Sequence, residues 1–213
     1  MAGFPVTTNM YVDYLQKVYT QLVSQEVYIT ELDLATGDGD HWSNMNMGFS
    51  KLDQLALELR KLNLQDLFKK IGMTMMSVIG GSSGVLYGGA YLAASKTLAG
   101  KDVMQKEDLL VVLATMLDDM KKRGKTEPGW KTMIDALHPA VEAFRKEIES
   151  GADDQTLLKA VIKAAEDGAE STRNMEAVRG RASYQTNKAV GHLDPGAVTM
   201  ALQLHCLCET ILE

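Results

Sequence analysis

Apolar side chains recur along most of the chain at the three- and four-residue spacing of amphipathic helices. Met10, Tyr14, Val18 and Leu22 form one stripe, flanked by Leu15, Tyr19 and Val23, and predict a first helix over residues 8–30. A second is expected over 43–61, with Met47, Leu52, Leu55 and Leu59 inward, and a third over 64–79. Gly80 and Gly81 end the third, and Ser82 or Ser83 is placed to cap a fourth that runs to Leu98. A fifth spans 105–122. A sixth is expected over 130–150, with Pro139 inside it as a kink or interruption. A seventh covers 153–175. Asp194 and Pro195 then supply an N-cap and first-position pair for a last helix to Leu212. Alternating strand patterns are scarce. Eight helices joined by short glycine-bearing loops predict an all-α, antiparallel up-and-down bundle, read as one domain over residues 1–213.

Composition narrows the field. With 213 residues, 46% hydrophobic and 23% charged, the chain can bury one sizeable core. A net charge of −6 argues against direct nucleic-acid binding, which needs a basic face. No signal-like N-terminus or membrane-length apolar run is seen, so a cytoplasmic location without membrane contact is expected. Cys206 and Cys208 lie two apart on a predicted helix, diverge in direction, and read as small buried hydrophobes.

The chemistry concentrates in glycine-punctuated segments. Asp33, Asp38 and Asp40, in ELDLATGDGDHW, are expected between the first two helices. Magnesium prefers hard oxygen ligands, and Gly37 and Gly39 allow a turn tight enough to converge these carboxylates. An isolated D-G-D reads equally as a solvated turn. The EF-hand pattern fails, since Ser43 and Phe49 stand where glycine and glutamate are required. Gly80-Gly81-Ser82-Ser83-Gly84 falls at a helix start, where free N–H groups suit phosphate, although an ordinary helix hairpin would use the same residues. Gly124-Lys125-Thr126 is not a Walker loop, because Asp119 replaces its first glycine. Ile79 and the lack of a preceding strand exclude a dinucleotide-binding fingerprint. Arg181 could donate to phosphate or lie on the surface; Asp194 reads first as a helix cap, and His138 and His205 as structural.

Taken together, LDLATGDGDHWSNMNMGF, GMTMMSVIGGSSGVLYGGAYLAASK, RGKTEPGWKTMIDALHPA, GRASY and GHLDPGA resemble the L subunit of bacterial dihydroxyacetone kinases, over nearly the whole chain. The resemblance implies an eight-helix antiparallel barrel with a nucleotide at one end. It implies two magnesium ions on Asp33, Asp38 and Asp40, bridging the phosphates of ADP or ATP. His41, Trp42, Ser43 and Asn44 would belong to the nucleotide pocket, Ser82 and Ser83 would meet phosphate, and Gly124 and Met133 would line the base and ribose region. Arg181 with Asp194, Pro195 and Gly196 would close the pocket. By the same resemblance the chain is a phosphoenolpyruvate-dependent phosphotransferase subunit. It would relay a phosphoryl group from a phosphotransferase-system M subunit, through bound nucleotide, to dihydroxyacetone on a K subunit, with no catalytic side chain assigned to this chain.

Three departures from the family pattern stand out. Trp42 follows the acidic run where a glycine is usual, Trp130 replaces an acidic residue, and residues 185–190 read QTNKAV instead of LGERSI. They keep open a paralogue acting on another short keto-sugar, and a nucleotide-bound regulatory protein engaging a transcription regulator.

Overall fold

The computed structural model describes residues 3–213, and each of the eight segments predicted as helical contains a helix. The order is α1 (Thr8–Ser24), α2 (Glu26–Thr36), α3 (His41–Gln54), α4 (Ala56–Leu59), α5 (Leu64–Val78), α6 (Gly81–Ser95), α7 (Lys106–Gly124), α8 (Ile134–Glu149), α9 (Asp154–Ser171) and α10 (Pro195–Leu212). Short 3₁₀ turns follow α6 and α9, and a third covers Arg181–Tyr184. Among the described residues the only β-type pairing is one antiparallel bridge between Val6 and Met104.

The ten helices arise because the first two predicted ones each break. Gln25, at φ −111° and ψ 19°, separates α1 from α2. The Trp42 indole N–H donates to the Leu22 carbonyl at 2.8 Å, a tertiary bond to the last turn of α1. Leu55 interrupts the second segment in the same way. Eight long helices remain as the wall: α1 packs on α3, α3 on α5, and each of α5 to α10 on the next, while α10 returns to α1. This closed ring in chain order is an up-and-down helical barrel.

α3 starts at His41, two residues before the predicted position, and its inward stripe is His41, Met45, Phe49 and Leu52. Met47 falls off that stripe and is exposed. α5 and α6 approach closely through paired glycines: a β-carbon on Gly72 or on Gly88 would lie 2.8 Å from the other's carbonyl oxygen. α8 runs through Pro139. Proline cannot donate to the Asp135 carbonyl one turn back, and that oxygen instead faces Gly168 of α9, where a β-carbon would sit 2.2 Å away. Residues 130–133, expected in the sixth helix, form a loop instead. The Asp135 carboxylate accepts from the Thr132 amide at 2.7 Å and from the Gly129 amide, which holds the chain out of helix there.

Inside the barrel, Tyr11, Tyr14, Tyr87 and Tyr91 are buried with Phe68. Ring centroids of Tyr11 and Phe68 are 4.6 Å apart, and the Tyr11 and Tyr91 hydroxyls meet at 3.1 Å. Burial raises the pKa of each of these phenols, so they stay protonated as hydrogen-bonding groups. The space left among them is about 20 Å³, close to one water. The barrel is filled by side chains.

Candidate functional site

At one end of the barrel a cleft of about 340 Å³ is walled by the starts of α6 and α10, the end of α7, and the loops around residues 131 and 179. It adjoins a smaller acidic recess of about 130 Å³. His41, Ser82, Arg179, Gly180, Asp194 and Pro195 line both, so the two are one continuous depression.

The recess holds Asp33, Asp38 and Asp40, which can place one carboxylate oxygen each within 4.8 Å of one another. Asp33 is not in the inter-helix loop, as expected, but inside the last turn of α2, where it is buried. One of its oxygens accepts the His41 amide at 2.9 Å, which ties the start of α3 to the end of α2. Gly37 stands where a β-carbon would approach the other oxygen to 2.6 Å, so only glycine leaves that atom free. Gly39, at φ +79°, makes the turn that brings Asp38 and Asp40 back toward Asp33. The cation against this cluster is Arg181, 2.9 Å from Asp38 and 4.0 Å from Asp40. Carboxylates at this spacing, half open to the cleft, form a hard-oxygen donor set that suits magnesium.

Ser82 and Ser83 line the cleft from the first turn of α6. They do not cap the helix as expected. Gly80 holds the cap position, without a side-chain cap, and its own amide donates to the Asn44 side-chain oxygen Oδ1 at 3.2 Å. The first-turn N–H groups of α6 are therefore left for an anion, beside two hydroxyls. Gly124 and Met133 line the cleft beside Leu86 and Met120, which give it an apolar side. Asp194 is the N-cap of α10, accepting from the Ala197 amide at 2.7 Å, and Pro195 and Gly196 complete its turn. Burial pushes the Asp194 carboxyl up to about 7, against the Ala197 bond and nearby Lys131, which lower it. Burial likewise lowers the pKa of His41, opposed by Asp33 and Asp40.

Trp42, Ser43 and Asn44 stand apart from the cleft lining. Trp42 turns toward α1, the Ser43 hydroxyl donates to the Asp40 carbonyl at 2.9 Å, and Asn44 braces the Gly80 turn. They shape the pocket without facing it.

Among the lining residues that sequence reasoning gave no role, two are cationic. Arg179 reaches both parts of the depression, donates to the Lys125 carbonyl at 2.9 Å and lies 5.3 Å over the Trp130 ring, so the unusual tryptophan serves as its platform. Lys131 is almost fully buried in left-handed backbone at φ +60°, and its ammonium donates to the carbonyls of Thr172 and His192. It thereby braces the chain that leads into the Asp194 turn. Burial lowers its pKa, partly offset by Asp194. The altered loop is also structural: Gln185 donates to the Ala35 carbonyl at 3.2 Å, at the end of α2, and Lys188 pairs with Glu176 at 2.9 Å.

The chain is similar to proteins of known family. The DAK2 domain matches residues 35–209. The ADP-binding subunit DhaL of PEP-dependent dihydroxyacetone kinase 1 from Listeria innocua is 41% identical over 182 residues, 85% of this chain and 86% of that protein. The ADP-binding subunit DhaL of the Escherichia coli PEP-dependent kinase is 35% identical over 202 residues, 95% of this chain and 96% of that protein. Among solved structures, the dihydroxyacetone kinase from C. freundii in complex with AMP-PNP and Mg2+ superposes with a TM-score of 0.73 at 30% identity. That match covers 97% of this chain, which spans about a third (35%) of the larger kinase chain. None of the helices in the described residues is long and apolar enough to cross a membrane. The chain belongs to the DAK2-domain family, among the DhaL-type subunits of dihydroxyacetone kinases.

Proposed function

We propose that this chain, as one nucleotide-binding domain, is the nucleotide-carrying subunit of a phosphoenolpyruvate-dependent dihydroxyacetone kinase. The observation that carries the reading is the continuity of the three-carboxylate recess with a cleft whose floor is an uncapped helix N-terminus. Anionic carboxylates and anionic phosphates tolerate one another at such a place only with divalent cations between them. Three carboxylates and a nucleoside diphosphate bring roughly −6, which two magnesium ions reduce to about −2 and Arg181 reduces further. Asp33, Asp38 and Asp40 hold the metal. The α6 amides with Ser82 and Ser83 receive phosphate, and the Leu86, Met120 and Met133 side takes the base. His41 and the Asp194-Pro195-Gly196 turn form the wall between the recess and the cleft.

Phosphoryl transfer requires positioning and charge neutralisation more than side-chain acid–base chemistry, and this site supplies both without a general base. The half-open recess leaves the phosphate end reachable by two partners in turn. An M-type subunit would rephosphorylate bound ADP, and a K-type subunit would present dihydroxyacetone.

The test is to denature the purified chain, identify the released nucleotide, and reconstitute the chain with its K and M partners and the phosphate relay. ADP release and dihydroxyacetone phosphorylation are expected. Bound nucleotide without transfer to dihydroxyacetone or any other ketose would overturn the kinase assignment in favour of a regulatory role.

A further inference from the structure

The wall between recess and cleft is held from behind by a hydrogen-bond chain that fixes where one proton sits. His41 is pinned twice: its amide donates to Asp33, and its ring Nε2 lies 2.9 Å from the Thr199 hydroxyl on α10. Thr199 is fully buried. Its hydroxyl has one hydrogen, and two carbonyl oxygens of its own helix, Pro195 at 3.1 Å and Gly196 at 3.2 Å, face it. Without a hydrogen directed at them, three acceptor oxygens would crowd together in a dry interior. The Thr199 hydrogen is therefore committed to the helix carbonyls, and toward His41 the hydroxyl can only accept. The Gln203 amide donates to the Thr199 carbonyl at 2.9 Å and to the Tyr87 hydroxyl at 2.8 Å, which holds this turn of α10 in place.

We infer that Thr199 is a positioning residue that holds His41 in its Nε2–H tautomer, so that Nδ1 offers a lone pair, not a proton, to the nucleotide site. Among the described residues nothing bonds Nδ1, and the ring lines both the recess and the cleft. A bare lone pair repels phosphate oxygen. The group it suits is an O–H donor, either a water held by the metal or a hydroxyl of the bound nucleotide. His41 then favours the donor-bearing parts of the ligand over its anionic oxygens, as a neutral acceptor beside the charged ones. This assignment rests on the nucleotide-site reading for its purpose, but the tautomer itself does not depend on what occupies the cleft.

The test is long-range ¹H–¹⁵N correlation of the histidine rings in the full-length ¹⁵N-labelled chain at neutral pH, with His41→Asn used to assign the His41 signals. The pattern of an Nε2–H tautomer is expected; an Nδ1–H pattern in the unmodified chain overturns the inference without any variant. Thr199→Val should give a mixture of tautomers and reduce retained ADP by about 10-fold or more, the scale of groups that orient a ligand-binding side chain. Thr199→Ser, which keeps the hydroxyl, should restore both. Unchanged His192 and His205 signals report an intact fold, and an unchanged His41 pattern in Thr199→Val contradicts the role of Thr199. Adding Mg2+ alone should shift Nδ1 if the donor is metal-held water, whereas a shift that also needs ADP identifies a nucleotide hydroxyl. No Nδ1 shift with both present refutes the acceptor role. A chain with the expected tautomer but no affinity for ADP would instead count against the functional reading.

Discussion

Two depressions of similar size differ in how well their charge is matched. A groove of about 430 Å³ lies between α1, α2, α9 and α10, lined by Gln21, Tyr28, Glu166, Glu170, His205 and Glu209 among others. Its charges are already answered by neighbours. His205 bridges Glu166 at 2.9 Å and Glu209 at 3.1 Å, Lys17 reaches Glu209 at 3.5 Å, and Arg173 holds Glu170 at 2.7 Å. The cleft with its recess sets three carboxylates against one ion-paired arginine, Arg181, and leaves a helix N-terminus without a side-chain cap. Volume measures where a ligand could fit. Unbalanced charge on a rigid frame marks where a counter-ion or ligand would be favourable, because it relieves the repulsion among like charges.

Removing charge from each depression should separate them most strongly. Asp38→Ala is expected to lower Mg2+-dependent ADP binding by more than about 100-fold, since direct metal ligands outweigh the 10- to 100-fold effects of groups that only orient them. Glu166→Gln, in the charge-paired groove, should leave ADP binding unchanged. Calorimetric titration of both variants checks this, and equal losses would erase the distinction between the two depressions.

Gly37→Ala sharpens the comparison within the recess. The new methyl would press on an Asp33 oxygen at 2.6 Å, in a backbone at φ −150° and ψ −136° that lies outside the broad β region open to alanine. The backbone strain should lower stability to thermal unfolding by about 1–3 kcal/mol. ADP binding should also weaken about 10-fold, because the displaced atom is one the metal uses. A variant that loses stability and keeps its ADP affinity would show that Asp33 supports the fold instead of the metal.

The smallest expected effect belongs to the paired groove. Burial acts to lower the pKa of His205, but hydrogen bonds and charge from Glu166 and Glu209 outweigh it, and the pKa is raised. A raised folded-state pKa stabilises the fold fully below the ordinary histidine value and loses that contribution as pH climbs through the folded value. The melting temperature of the native chain relative to His205→Gln should therefore be higher at pH 6 than at pH 8.5. The margin should be under about 1 kcal/mol, because the pair is partly exposed and screened by solvent. A margin that grows with pH would contradict the pairing.

The eight helical segments and the converging acidic turn were legible because both are written locally, in a repeat of apolar positions and in glycines beside aspartates. The breaks at Gln25 and Leu55 were not. Trp42 bonds the α1 carbonyl from twenty residues away, and periodicity carries no trace of such a contact. The same limit hid Lys131 and Arg179. A lysine in a polar run reads as solvated, and only the folded chain places carbonyls of residues 172 and 192 around its ammonium. Arg179 and Arg181 are indistinguishable in RGR until Trp130 offers one of them a platform. Of the two tasks expected of Ser82 and Ser83, the cap falls to Gly80 instead, and both serines line the cleft.

The central claim is that metal, not protein alone, reconciles phosphate with the three aspartates. Its most direct test is calorimetric titration of ADP into the metal-free chain, with and without Mg2+. The account predicts tight binding with Mg2+ and at least about 100-fold weaker binding without it, a difference of roughly 2.7 kcal/mol. Equal affinity in the two titrations would contradict it.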